Sequence, residues 1–157
     1  MWPWVAQIGQ GRGWFYSYAA LENLVGCDIR SADRVVPEWQ DLRVGDPVSL
    51  HPDMALRVAA IEAPRSLVLH GGVPIDAIPP PYDFTWAFVV RERPDGSSRL
   101  LVRERWTYTR WWAPILVEPV EIVSSVMHQK MLRGIRDRAE RAAAYDLAPD
   151  GWAATAA

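Results

Sequence analysis

Hydrophobic positions recur along this chain with two different periods, and the change of period divides it into a strand region and a helix region. Over residues 84–93 and again over 99–109, apolar and polar side chains alternate, and Pro94-Asp95-Gly96-Ser97 stands between the two runs. Alternation joined by such turn chemistry predicts a β-hairpin. Successive strand side chains point to opposite faces, so Phe84, Trp86, Phe88 and Val90 share one face of the first arm, and Leu100, Val102, Glu104, Trp106 and Tyr108 one face of the second. Arg103 and Arg105 fall on the other side, expected to be a solvated exterior. Upstream, residues 48–51, 55–61 and 65–70 are short runs rich in Val, Leu and Ile, separated by HPD and EAP turns, and predict an antiparallel meander. From Pro114 the spacing changes to three and four. Leu116, Val120, Val123, Met127, Met131 and Ile135 mark the apolar face of a long helix reaching about Ala144, with Glu118, Glu121, Gln129, Arg136 and Glu140 opposite. Pro119, which has no N–H to give, should kink that helix or begin its regular part.

The first part of the chain has no strand period. Residues 2–8 form an apolar turn, GQGRG follows at 9–13, and residues 15–25 predict a helix that Gly26 ends. Residues 33–45 form a connection that carries Glu38, Trp39 and Gln40. Residues 71–83 contain four prolines and two glycines and predict a long loop of the kind that borders sites. Beyond Tyr145 no period remains, and residues 145–157 read as a flexible tail behind a single domain at 1–144. Short helices, three strands, a loop, a hairpin and a long helix make an α+β order. A curved antiparallel sheet with the C-terminal helix across its concave face satisfies that order, because each buries the other's apolar side.

Composition narrows the classes of partner. With 157 residues, 50% hydrophobic and 23% charged, the chain suits one globular domain. A formal charge of -2 and a pI near 5.9 give no basic field to hold nucleic acid or an anionic membrane. No apolar run reaches the roughly 18 residues of a membrane span. The single cysteine, Cys27, excludes an internal disulfide and a cysteine zinc site, and with no hydrophobic leader at Met1 a cytoplasmic location is expected. Nine tryptophans weigh more, since each ring is a large apolar surface carrying one N–H that needs a partner when buried.

Four segments, WPWVAQIGQGRGWFYSY at 2–18, SADRVVPEWQDLRVGD at 31–46, FTWAF at 84–88 and RLLVRERW at 99–106, resemble in this order bacterial members of the polyketide cyclase/dehydrase and lipid-transport family. That family belongs to the START/Bet v 1-like (SRPBCC) superfamily, and the resemblance runs over about residues 2–141. It implies the helix-grip fold, with a cavity between sheet and long helix that holds a hydrophobic ligand and in some members supports cyclisation or dehydration, without a cofactor. Two departures stand out. Ala19 and Ala20 follow YSY where the relatives show an Asp and an aromatic residue. The chain also opens inside the first helix without the expected first strand, so the natural protein is expected to begin upstream of Met1, and the sheet edge left open is expected to favour self-association.

Candidate chemistry concentrates on the hairpin and the long helix. GQGRG lacks the glycine spacing of a dinucleotide fingerprint and the lysine of a phosphate loop, and reads as a turn requiring positive φ. His51, His70 and His128 are far apart in sequence and lack metal-ligand spacing, so no metal is expected. Glu104 is the sharpest anomaly, a carboxylate on an otherwise apolar face, costly there unless paired. It is read as a cavity acid or base, as the partner of an arginine such as Arg12, or as solvent-exposed through a shift of register. His128 adjoins Met127 and Met131 on the helix; Ser124 and Ser125 read as small helix residues. Tyr16, Tyr18, Tyr82 and Tyr108 are candidate hydroxyl donors. Trp86, Phe88, Trp106, Tyr108, Val123, Met127 and Met131 are the expected ligand wall, with Glu104, His128 and Tyr108 the candidates for acid–base chemistry. The expected function is binding of a small hydrophobic or amphipathic molecule, aromatic, polyketide-like or lipid. The alternatives are a cyclase or dehydrase and a protein interaction module.

Overall fold

A computed structural model describes residues 1–16, 32–51, 54–71 and 81–146. Its elements run α1 (Trp2–Ala6), a 3₁₀ turn (Pro37–Trp39), β1 (Pro47–His51), β2 (Met54–Glu62), β3 (Ser66–His70), β4 (Tyr82–Glu92), β5 (Ser98–Tyr108) and α2 (Ala113–Asp146). The five strands form one antiparallel sheet in the order β1-β2-β3-β4-β5, so every strand pairs with its neighbour in sequence. The chain is therefore α+β, with the meander and hairpin where the sequence pattern predicts them.

The sheet has one buried face, and alternation sets it. Val48 of β1, Leu56 and Val58 of β2, Leu67 and Leu69 of β3, and Phe84, Trp86 and Phe88 of β4 are buried. A bulge in β2 between Val58 and Ala60 moves the pattern by one residue, so that Ile61 rather than Ala60 turns inward opposite Leu67. In the hairpin, Phe84 pairs with Trp106, Trp86 with Glu104 and Phe88 with Val102, which puts the two expected faces on the same side. Gly96 adopts φ +79 in the turn, a conformation open to glycine. β4 starts at Tyr82, so the loop expected at 71–83 is shorter by two residues at its end; residues 72–80 lie outside the described ones.

On this face α1 and α2 pack, and Trp4, Val5, Ile8, Met131 and Ile135 join the sheet residues in one core. α2 begins at Ala113, continues through position 119 and ends at Asp146, two residues beyond the expected limit. Val117 and Gly134 are buried on it beside Met131 and Ile135. Around its start the surface is apolar, with Trp111 88% and Ile115 78% exposed.

The GQGRG segment is the expected turn, with Gly9 at φ +121 and Gly11 at φ +75. The helix expected at 15–25 does not begin at Phe15, because Tyr16 has φ +54 and is held by side-chain bonds that a helix would break; the rest of that segment lies outside the described residues. Tyr16 Oη donates to the Trp4 carbonyl at 3.2 Å and accepts from Gln7 Nε2 at 3.1 Å. Gln7, fully buried, is satisfied further by the Arg34 carbonyl, the Val36 N–H and Gln40 Nε2. A buried amide so completely bonded fixes the connection at 33–45 against α1.

Candidate functional site

Glu104 lies on the buried side of β5, directly opposite Trp86, and its side chain keeps 20% of its exposure. The register is the regular one, and Arg12 is engaged elsewhere: its guanidinium donates to the Ala6 carbonyl at 3.0 Å and to the Trp39 carbonyl. What meets Glu104 is the long helix. Ser124 Oγ lies 3.3 Å and 3.2 Å from the two carboxylate oxygens, and His128 Nε2 lies 3.2 Å from Oε1. Ser124 and His128 are four residues apart and therefore share a helix face, with Ser124 Oγ also 3.4 Å from His128 Nδ1.

The His128–Glu104 contact has the separation of an ion pair without the alignment of a hydrogen bond, since Nε2 finds no hydrogen-bond partner among the described residues. Its attraction is Coulombic and depends on the ring's protonation. Burial pushes the His128 pKa below its ordinary 6.5, opposed by hydrogen bonding to the Ser124 backbone. Folding therefore favours the neutral imidazole, and a neutral imidazole 3.2 Å from a carboxylate is a pair able to accept and return a proton.

Aromatic rings enclose the cluster. Trp86 meets His128 edge-on at 5.4 Å and packs against Phe88 at 4.8 Å and Phe15 at 5.9 Å. Trp106 packs against Phe84 at 4.3 Å and Tyr82 at 4.9 Å. The indole N–H groups of Trp86 and Trp106 are both buried and have no hydrogen-bond partner among the described residues. Two orphan donors on one apolar face are a departure from the rule that buried polar groups are bonded.

The expected wall residues divide as follows. Trp86, Phe88, Trp106 and Met131 lie on the inner face or in the core, and Met127 is half-buried. Tyr108 closes the row at the rim, 38% exposed. The side chains of Val123 and His51 lie outside the described residues, as do Tyr18 and Cys27. His70 pairs with Asp83 at 2.7 Å on the outer face, away from the cluster. Ser124 is the residue that sequence reasoning missed, although its four-residue spacing from His128 was a usable signal.

Among the described residues no three His, Cys, Asp or Glu side chains gather as metal ligands, and no helix is long and apolar enough to cross a membrane. A pocket of about 250 Å³ between the hairpin and α2 is lined by Leu100, Leu132, Ile135 and four arginines; neither Glu104 nor His128 borders it. No protein-family model, curated protein or solved structure matches the chain.

Proposed function

We propose that this chain is a helix-grip domain of the START/Bet v 1-like superfamily that binds a small hydrophobic or amphipathic molecule between the inner face of its sheet and α2. The observation that carries the reading is the pair of buried, unpartnered indole N–H groups of Trp86 and Trp106, set among aromatic rings on the sheet face that meets the helix. An apolar wall with a few polar groups is the composition of a small-molecule site. Calorimetric titration with a neutral naphthalene probe tests it. Saturable one-site binding, weakened by Trp86→Ala, is the expected result; absence of binding by any neutral aromatic probe ends the reading.

A second reading, a cyclase or dehydrase, is favoured by the Glu104–His128 separation of 3.2 Å. There Glu104 or His128 takes a proton from carbon and returns it to a leaving oxygen. Turnover of a hydroxyketone to its unsaturated product, lost in both Glu104→Gln and His128→Gln, distinguishes this from carriage alone.

A further inference from the structure

β5 is the last strand of the sheet, and no described strand pairs with its outer edge. Such an edge offers backbone N–H and C=O groups to an extended chain, and the side chains along it decide which chain fits. Arg99 and Arg103 stand on the outer face of β5, and Arg99 lies directly opposite Arg91 of β4, a like-charge pair that weakens a hairpin. Beside the start of the strand, the pocket of about 250 Å³ has a floor of Leu100, Leu132 and Ile135 and a rim that includes Arg93, Arg99 and Arg133. These three arginines, Arg91 and Arg103 make no ion pair among the described residues, whereas Arg136, also at the rim, is held by Asp137. Glu92 and Asp95 are near in sequence, and neither lines the pocket.

We propose that the outer edge of β5, from Ser98 to Arg103, takes up an extended acidic segment of another protein as an additional strand. Successive residues of a strand point to opposite faces, so this segment turns apolar side chains toward the pocket at Leu100 and carboxylates toward Arg99 and Arg103. Its pattern is an alternation of acidic and apolar residues. A second copy of the chain does not fit. Any two-fold antiparallel pairing of β5 with itself that keeps the apolar faces together, centred anywhere from Leu101 to Arg105, sets an arginine opposite an arginine, the repulsion by which charged edges keep copies apart. A nucleic acid strand matches the arginines and has no peptide groups for the edge. Neither Glu104 nor His128 borders the pocket, so occupancy of this edge is independent of a small molecule on the aromatic face.

Fluorescence anisotropy with blocked, dye-labelled heptapeptides tests this. One peptide alternates Glu and Val, one alternates Lys and Val, and one repeats the acidic sequence with every peptide nitrogen methylated, which keeps the charge and removes strand pairing. The acidic peptide should bind saturably below millimolar concentration, more weakly as salt is raised, and should slow amide exchange over residues 98–103 of β5. The double variant Arg99→Glu/Arg103→Glu, altered at two exposed positions, should bind the acidic peptide roughly tenfold more weakly and the lysine peptide more tightly, a reversal of preference that a loss of folding does not produce. No saturable binding of the acidic peptide, equal binding of its methylated form or equal binding of the lysine peptide overturns the proposal. Tighter binding of oligothymidylate than of the acidic peptide assigns the arginines to nucleic acid, and a peptide-free protein that dimerises in sedimentation with residues 98–103 protected gives the edge to a second copy; either result overturns it as well.

Discussion

Glu104 Oε1 and His128 Nε2 stand 3.2 Å apart, one on a strand and one on a helix. Ser124 Oγ lies within 3.4 Å of both residues. This cluster ties α2 to the hairpin through polar contacts as well as packing. Ser124→Ala should cost about 1 kcal/mol of stability, the usual net worth of such a hydrogen bond. In a double-mutant cycle with Glu104→Ala, measured by urea denaturation, the coupling should exceed about 0.5 kcal/mol. Additive effects would show that the two side chains act independently.

Acid should destabilise the protein through His128. Burial holds the folded pKa below the ordinary 6.5, so the unfolded chain binds the proton more readily. Stability is then greatest above pH 6.5 or so and is lost as the pH falls through the folded value. His128→Gln should flatten that part of the stability profile. Glu104→Gln should steepen it, because the protonated ring loses its counter-charge. Thermal melts between about pH 5 and pH 8 read both effects, and an unchanged profile in His128→Gln refutes the assignment.

Alkali should act through Tyr16. Burial pushes its pKa from 10.0 up to about 12, against the hydrogen bond from Gln7 and the nearby charges of Arg138 and Arg12. The folded state keeps the phenol protonated where the unfolded chain releases it. This contribution is complete below pH 10 or so and disappears as the pH rises through 12 or so. Ultraviolet titration should find one tyrosine ionising last, and Tyr16→Phe should remove that step and its share of the alkaline stability loss.

Gly134→Ala should destabilise the protein, against the sign expected from helix propensity. In an exposed helix the change would gain roughly 1 kcal/mol. Here a Cβ would stand 2.5 Å from the Tyr16 carbonyl oxygen and 2.8 Å from its Cβ, so α2 and the Tyr16 loop would have to separate. A net loss of about 1 to 3 kcal/mol in chemical denaturation is expected; a gain would mean that the loop gives way easily.

How far each feature was legible depended on the range of the physics behind it. The hairpin was legible because alternation and the Pro94-Asp95-Gly96-Ser97 turn act within a few residues. The pairing of Trp86 with Glu104 follows once that turn fixes the register. Glu104 was visible as an anomaly because a carboxylate on an apolar face is odd in any fold. Its contact with His128 was not visible, since it depends on where α2 docks against the hairpin. Arg12 instead finds two backbone carbonyls, acceptors that every residue carries and no sequence pattern marks. The close approach of Gly134 to Tyr16 joins residues more than a hundred positions apart, which no local pattern marks.

Arg138 Nε donates to the Ala32 carbonyl at 2.9 Å across 106 residues, and the same guanidinium sits 4.9 Å over the Tyr16 ring. The sheet, by contrast, is assembled from neighbours in sequence. During synthesis the strands can therefore pair as they emerge, while the surface that α2 covers waits for residues 109–146 to be made. At the usual 5–20 residues per second that interval is about 2 to 8 s, during which the aromatic face around Trp86 and Phe88 is uncovered. The chain's yield in a cell should therefore depend on how fast the last helix is translated, because an uncovered apolar face invites aggregation.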